Sequence, residues 1–196
     1  MEHASRNLIH SLESSPWVAS LRSIGKNGQP GLEIVLTPAG HDHLRDSGID
    51  RFLEDFDEHA GLRITFTPAT RIAEIQDVFE DGRTFPRLLS VQVEADGYRL
   101  LVLVDKDLDW FRGHFPGTPV LPGVVQLHWA VRIACSLFDI DATPETVNRL
   151  KFQNIVAPPR VIELEVGRPD GGRVPFTFRS LGMIHSSGTL RFEEPA

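Results

Sequence analysis

The chain is short of cysteine: 196 residues include one, Cys135, set in an apolar run. An intrachain disulfide is therefore excluded, and the composition suits a reducing, cytoplasmic setting. The start, Met1-Glu2-His3-Ala4, lacks a basic segment followed by an apolar one, so no secretory signal is expected. Long hydrophobic runs are missing as well. The longest apolar stretch, Val120 to Phe138, is broken by Gln126, His128, Arg132 and Ser136 and contains Pro122-Gly123, which makes it a poor membrane span. Nor is there an excess of positive charge. The formal net charge is −7, which argues against a nucleic-acid partner. Residues 1–85 hold 8 Lys/Arg against 14 Asp/Glu, and residues 86–196 hold 12 against 13. The acidity lies in the first part, and the second keeps basic residues for an acidic partner. What the chain does have is a 41% hydrophobic share, enough for a sizeable core. Its length accommodates one domain of ordinary size and a smaller one. No internal repeat is visible.

Local patterns divide the chain near residue 86. In the first part, Arg6 to Leu12 suits a short helix, and Lys26-Asn27-Gly28-Gln29-Pro30-Gly31 is a turn cluster. Leu32 to Leu36 alternates as a strand does. Thr37-Pro38 then supplies an N-cap followed by proline at the first helical position. The helix it opens is interrupted at Ser47-Gly48, so two short helices are expected, the second with Ile49, Phe52, Leu53 and Phe56 on one face. Leu62 to Thr67 and Ile72 to Phe79 read as strands, and Glu80 to Arg83 as a turn. Residues 1–85 are thus expected to form a small α+β unit.

Beyond residue 86, Leu88 to Glu94 and Tyr98 to Val104 are strands joined by the hairpin signal Ala95-Asp96-Gly97. A segment rich in Gly and Pro leads to Gly123. Val124 to Phe138 is then a helix that is apolar nearly all round, so it must be buried on most sides. Strands are expected at Arg149–Val156, Val161–Val166, Val174–Leu181 and Gly188–Glu193, with turns at Ala157-Pro158-Pro159, Pro169 to Gly172 and His185-Ser186-Ser187. A long helix wrapped by an antiparallel sheet satisfies this pattern. The helix's polar exceptions His128, Arg132 and Ser136 lie four residues apart, on one stripe. That stripe faces a groove or a subunit interface, or merely meets solvent.

The segment Phe111-Arg112-Gly113-His114-Phe115-Pro116-Gly117-Thr118-Pro119-Val120-Leu121-Pro122-Gly123-Val124 resembles the signature of 3-hydroxyacyl-acyl-carrier-protein dehydratases, the hot-dog enzymes of bacterial fatty acid synthesis. The resemblance runs from about residue 86 to about residue 194 and includes Arg149-Leu150-Lys151-Phe152 with Val156-Ala157-Pro158-Pro159. Pro122 to Leu127 followed by Trp129-Ala130 is most similar to the branch acting in aryl-polyene pigment pathways. It implies a hot-dog domain over residues 86–196 and a substrate held on the phosphopantetheine arm of acyl carrier protein. It also implies a dimer whose active sites draw on both subunits, with a like chain or with another hot-dog subunit as the partner.

Dehydration of a 3-hydroxyacyl thioester needs a base at C2, an acid at the C3 hydroxyl, and donors to the thioester oxygen as enolate character develops. The resemblance makes His114 the base. It gives Gly123 and Val124 the carbonyl-holding amides at the helix N-terminus, where the helix dipole favours negative charge, and places Phe115, Pro116 and Gly117 at the substrate. The elimination calls for no metal or redox group, so no cofactor is expected. The sequence departs from the family at one position. The family carries Glu or Asp on the helix fourteen residues after the motif histidine, and here that residue is His128. Three readings stay open. His128 replaces the acid, since an unperturbed histidine is still roughly a tenth protonated at pH 7.5. A partner chain supplies the acid to a composite site. Or the domain only binds acyl chains. Arg132 orients His128, holds a substrate carboxylate or makes an interface salt bridge. A thioesterase on the same fold is a lesser alternative, because it too needs the helix carboxylate.

Gly31 to Gly40, followed by a helix and by Thr70 to Ile75, resembles the small C-terminal subdomain of adenylate-forming acyl ligases. The lysine of that subdomain's Gly-Lys pair is absent, the nearest match being Gly82-Arg83. The resemblance therefore implies a remnant that cannot adenylate; the alternative is an appendage that covers a sheet edge or docks a partner. His41 and His43 would stand about 200° apart on a helix, a poor arrangement for joint metal ligation, so with His59 they are expected at the surface, and no metal site is expected.

Overall fold

The computed structural model describes residues 2–26, 29–54, 63–68, 73–112 and 117–193. Its first part contains α1 (Glu2–Glu13), β1 (Val18–Lys26), β2 (Gln29–Leu36), α2 (Pro38–Glu54) and β3 (Arg63–Phe66). The three strands form a sheet in the order β1-β2-β3, with β2 antiparallel to β1 and parallel to β3. The helix start at Pro38 is built as its sequence indicates: Thr37 Oγ1 accepts the Gly40 N–H at 3.0 Å. The interruption is real too. Gly48 sits at φ 78°, ψ 171° and kinks α2, a conformation open mainly to glycine. Beyond the kink Phe52 is fully buried and Ile49 and Leu53 partly so; Phe56 and His59 lie outside the described residues.

The second part is α3 (Ala73–Glu80), β4 (Arg87–Glu94), β5 (Gly97–Val104), a single 3-10 turn (Asp109–Phe111), α4 (Gly123–Phe138), β6 (Thr146–Phe152), β7 (Arg160–Gly167), β8 (Arg173–Ser180) and β9 (Met183–Arg191). Six strands form an antiparallel sheet in the order β4-β5-β7-β8-β9-β6. The helix α4 lies against its inner face. Val125, Trp129, Ala130, Ile133, Ala134 and Leu137 share one core with Leu100, Val102, Ile162, Leu164, Phe176 and Phe178. This is the hot-dog arrangement. Among the described residues no helix is long and apolar enough to cross a membrane.

Three expectations need correction. Ile72 to Phe79 is not a strand: residues 73–80 form the helix α3, and residue 72 lies outside the described residues. Ile75, Val78 and Phe79 fall at helical spacing and pack into the core that holds α4, so a stripe that short also passes for alternation. His185-Ser186-Ser187 is not a turn but part of β9; the chain reverses at Leu181-Gly182, both at positive φ. Those polar residues tolerate the interior because they bond there. The Ser180 Oγ and His185 Nε2 are 2.7 Å apart, and Ser186 Oγ donates to Gln126 Oε1 at 2.7 Å. The third correction is His41, which is fully buried. His43 is half-buried and stacks on Trp17, and no metal-binding group of three or more ligands occurs among the described residues.

His41 is buried because the first part lies on the outer face of the second part's sheet. Leu89, Leu101, Leu103 and Val161 of that face share a core with Leu32, Ile34, Leu36, Leu44 and Phe52. Each such side chain left in water would forfeit about 1.5–3 kcal/mol, so the face needs a cover. A polar cluster lies within the contact. His41 Nε2 donates to Glu163 Oε2 at 2.7 Å, and its Nδ1 is 3.1 Å from Ser90 Oγ. Burial pushes the Glu163 carboxyl up, but the hydrogen bond and charge of His41, with Arg45 and Arg99 near, hold it below the usual glutamate range.

Replacing His41 by Ala removes the nearest donor from a buried carboxylate. Arg45 at 3.4 Å and Arg99 at 3.5 Å compensate in part. The expected loss is about 3 kcal/mol, at the lower end for breaking a buried pair, measured by denaturant unfolding. A loss under about 1 kcal/mol would show that the arginines alone suffice. With its folded pKa depressed, Glu163 stabilises fully above its unfolded value, and that contribution is lost as the pH falls through the folded one.

Candidate active site

After β5 the chain passes through the 3-10 turn and the Gly/Pro-rich segment to the start of α4. Of the expected site residues, His114, Phe115 and Pro116 lie outside the described residues. Gly117, at φ 88°, and everything from there through α4 are described. Two indoles fix the surroundings: Trp110 Nε1 and Trp129 Nε1 both donate to the Thr84 carbonyl, at 2.6 and 2.9 Å. This ties the 3-10 turn and α4 to the loop before β4. On the other side, Leu121 N–H donates to the Val156 carbonyl at 2.8 Å.

The helix opens without a side-chain cap. Pro122 occupies the cap position, and its carbonyl accepts from the Val125 and Gln126 amides. The Gly123 and Val124 amides have no partner among the described residues, as expected for donors at a helix start. A Cβ at Gly123 would stand 2.6–2.9 Å from the Phe152 ring, so glycine lets that ring lie against the helix start. Such paired amides at the positive end of a helix dipole can hold a carbonyl oxygen that gains charge.

Val124, His128 and Arg132 are exposed and Ser136 is half-buried, so the stripe read from the sequence runs along the open side of α4. His128 is backed by two rings, Phe85 at 5.7 Å and Trp110 at 6.2 Å between centroids. Part of the imidazole meets solvent, but these rings remove water from the rest. Burial, with the Arg132 charge one turn away adding to it, holds the His128 pKa below the ordinary histidine value. Both effects favour the neutral imidazole over the charged one. It can accept a proton or orient a neutral group, but it is a poor proton donor. Past Arg132 the stripe reaches an open cavity of about 1050 Å³, which Arg132, Cys135, Ser136 and Asp139 help to line.

Sequence reasoning missed Phe85, Trp110 and Phe152. Trp110 stands just before the motif, which is a usable signal. Phe85 reaches the site through the fold, with no local signature, whereas Phe152 lies in the Arg149 to Phe152 stretch that resembles the family. It also missed the character of β6. This strand is at the sheet edge, with one neighbour, β9, and its outward side chains Leu150 and Phe152 are exposed, as are Ile155 and Val124 nearby.

Comparison with known proteins now decides the family. The family model described as ApeI-like, ApeI dehydratase, matches residues 90–189. The chain belongs to the ApeI-like dehydratases. It is 32% identical over 112 residues to the 3-hydroxyacyl-[acyl-carrier-protein] dehydratase FabZ of Clostridium novyi (strain NT), covering 50% of this chain and 75% of that protein. Among solved structures it is similar to a chain of the dehydratase heterocomplex ApeI:P from Xenorhabdus doucetiae, with a TM-score of 0.51 and 27% identity. That match takes in 96% of the other chain but 55% of this one. This ApeI-like chain therefore carries a large segment with no counterpart there.

Titration of the histidine C–H resonances by NMR should place His128 below the ordinary histidine pKa, with Arg132→Ala moving it upward. A His128 that titrates at or above the ordinary value would restore it as a candidate proton donor.

Proposed function

We propose that this ApeI-like protein is one subunit of a dehydratase acting on a 3-hydroxyacyl thioester carried by acyl carrier protein, in a fatty-acid-like, polyene or pigment-forming route. His114 removes the C2 proton. The Gly123 and Val124 amides hold the thioester oxygen, and Phe115, Pro116 and Gly117 are further substrate-binding residues. The C3–O bond breaks, and the departing hydroxide takes a proton to leave as water.

The observation that carries this reading is His128. It occupies the helix position of the family's carboxylic acid, and Phe85, Trp110 and Arg132 around it favour the neutral imidazole. A neutral imidazole does not protonate a leaving hydroxide well, so the acid comes from a second hot-dog subunit. The exposed apolar edge strand β6 and the open stripe of α4 supply the surface on which such a subunit would sit. The solved relative belongs to a dehydratase heterocomplex, which supports the same arrangement. In this arrangement Arg132 pairs with a carboxylate, from the partner or the substrate. The part of the chain from α1 to β3 forms an appendage that covers the outer sheet face.

The test is dehydration of a 3-hydroxyacyl-carrier-protein substrate by the chain alone and with a co-purified hot-dog partner. The chain alone should be weakly active and the pair active, with His114→Ala abolishing turnover without unfolding the protein. Placing the acid back in this chain, His128→Glu, should raise the turnover of the chain alone by about 10²-fold or more, the usual worth of a general acid. Full activity of the chain alone that depends on His128 would instead establish a two-histidine dehydratase. Indifference of the pair to His114→Ala would make this subunit a scaffold.

A further inference from the structure

Phe152 is the last residue of the edge strand β6, stands 51% exposed and belongs to neither apolar core. Its position is nonetheless fixed. Phe152 pairs with Ser186 of β9, and the residues after it are tied on two sides. The Gln153 N–H donates to the His185 carbonyl at 2.8 Å, and Asn154 Nδ2 donates to the Ile184 carbonyl at 2.7 Å. On the other side the Val156 carbonyl accepts the Leu121 N–H at 2.8 Å, which joins the exit of β6 to the segment that leads into α4.

The ring fills the space of the side chain that Gly123 lacks: three of its carbons lie 2.6–2.9 Å from where a Cβ would stand. On a helix the Cα–Cβ bond tilts toward the N-terminus, and the first amides point the same way. The ring therefore stands beside the unpartnered Gly123 and Val124 amides rather than behind them. It makes no hydrogen bond of its own, and it takes the room of water on one side of the amides.

We propose that the Phe152 ring is a wall of the carbonyl-holding site, which rests on the role proposed for the Gly123 and Val124 amides: the thioester oxygen on those amides lies against the ring, and the ring keeps water off it. In open water an oxygen that gains charge is already solvated, and two amides add little. Against an apolar ring the same two bonds act at a lower effective dielectric and are stronger. The gain grows as enolate charge develops, so it acts on the transition state more than on substrate binding.

Difference infrared spectroscopy on the full chain tests this with butanoyl-pantetheine, a saturated thioester isotope-labelled at the carbonyl. The compound has no C3 hydroxyl, so it binds without reacting. On the parent protein its carbonyl stretch should fall below the value in water. Phe152→Ala should lose most of that fall and Phe152→Tyr should keep it, with thermal melts showing both variants folded. Phe152→Leu, which keeps part of the apolar bulk, carries the comparison if the alanine variant does not fold, and should lose part of the fall. In turnover of the 3-hydroxyacyl substrate with the hot-dog partner, Phe152→Ala should lower kcat about tenfold, a fraction of what a whole oxyanion donor is worth, with KM little changed. A carbonyl stretch equally low in Phe152→Ala, or a variant that raises KM and spares kcat, overturns the proposal and leaves the role of the amides standing. A parent protein that leaves the stretch where it lies in water removes the role of the amides, and the proposal with it.

Discussion

An apolar helix of sixteen residues has to be dried over most of its circumference, and one sheet covers only one side of it. That requirement on α4 organises the molecule. The inner sheet face takes Val125, Trp129, Ile133 and Ala134, and α3 with Phe85 takes a second side through Ile75 and Val78. What remains is the stripe Val124–His128–Arg132–Ser136, whose first three residues stand in solvent and whose last is half-buried. The uncapped amides of Gly123 and Val124 lie at its head. The site is thus the residue of an incomplete burial: the helix is open where chemistry needs access, and the edge strand β6 flanks the opening with apolar side chains that a second sheet would cover.

The sheet has a second face with the same demand. Leu89, Leu101, Leu103 and Val161 are as apolar as a core, and the first part of the chain answers them with Leu32, Ile34, Leu44 and Phe52. Apolar contact fixes that the two parts meet but leaves them free to slide. The His41–Glu163–Ser90 cluster removes that freedom, because a carboxylate with no exposed side-chain surface has to meet its donors at one position only. A charge this deep adds little net stability compared with a well-packed apolar substitute; its effect is on register.

What could be read from sequence was what local chemistry fixes. The Thr37-Pro38 cap, the break at Gly48, the β4–β5 hairpin and the apolar helix ending at Phe138 each follow from a few adjacent residues, and the Gly/Pro motif pointed to the site region by resemblance. What could not be read depends on contacts made far along the chain. β1 has no strong alternation, and it is held by pairing to β2. α3 looked like a strand until α4 was there to receive its stripe. His185 and Ser186 read as a turn because nothing nearby in sequence announces Gln126 and Ser180 as their partners. His41 was assigned to the surface because its partner Glu163 is 122 positions away. His128 was legible as a departure from the family, but the direction of its pKa was not, since that comes from Phe85 and Trp110 beside it and from Arg132.

The exchange of a carboxylic acid for His128 changes more than one proton donor. A glutamic acid can be kept protonated by drying its surroundings, because burial favours the neutral form, which is the donor. The same drying acts on histidine in the opposite sense: it favours the neutral form, which is the poorer donor. Phe85 and Trp110 therefore make an environment that would have helped an acid and hinders a histidine. Docking a second hot-dog subunit on the stripe would dry His128 further and deepen that effect, while Arg132 would gain a reason to meet a carboxylate across the interface. A self-sufficient two-histidine site would need the opposite surroundings, a wet or anionic pocket that raises the imidazole pKa. Among the described residues, the groups that shift His128 all lower it. The packing around this one side chain thus fits the proposed division of the chemistry between two chains better than its completion within one.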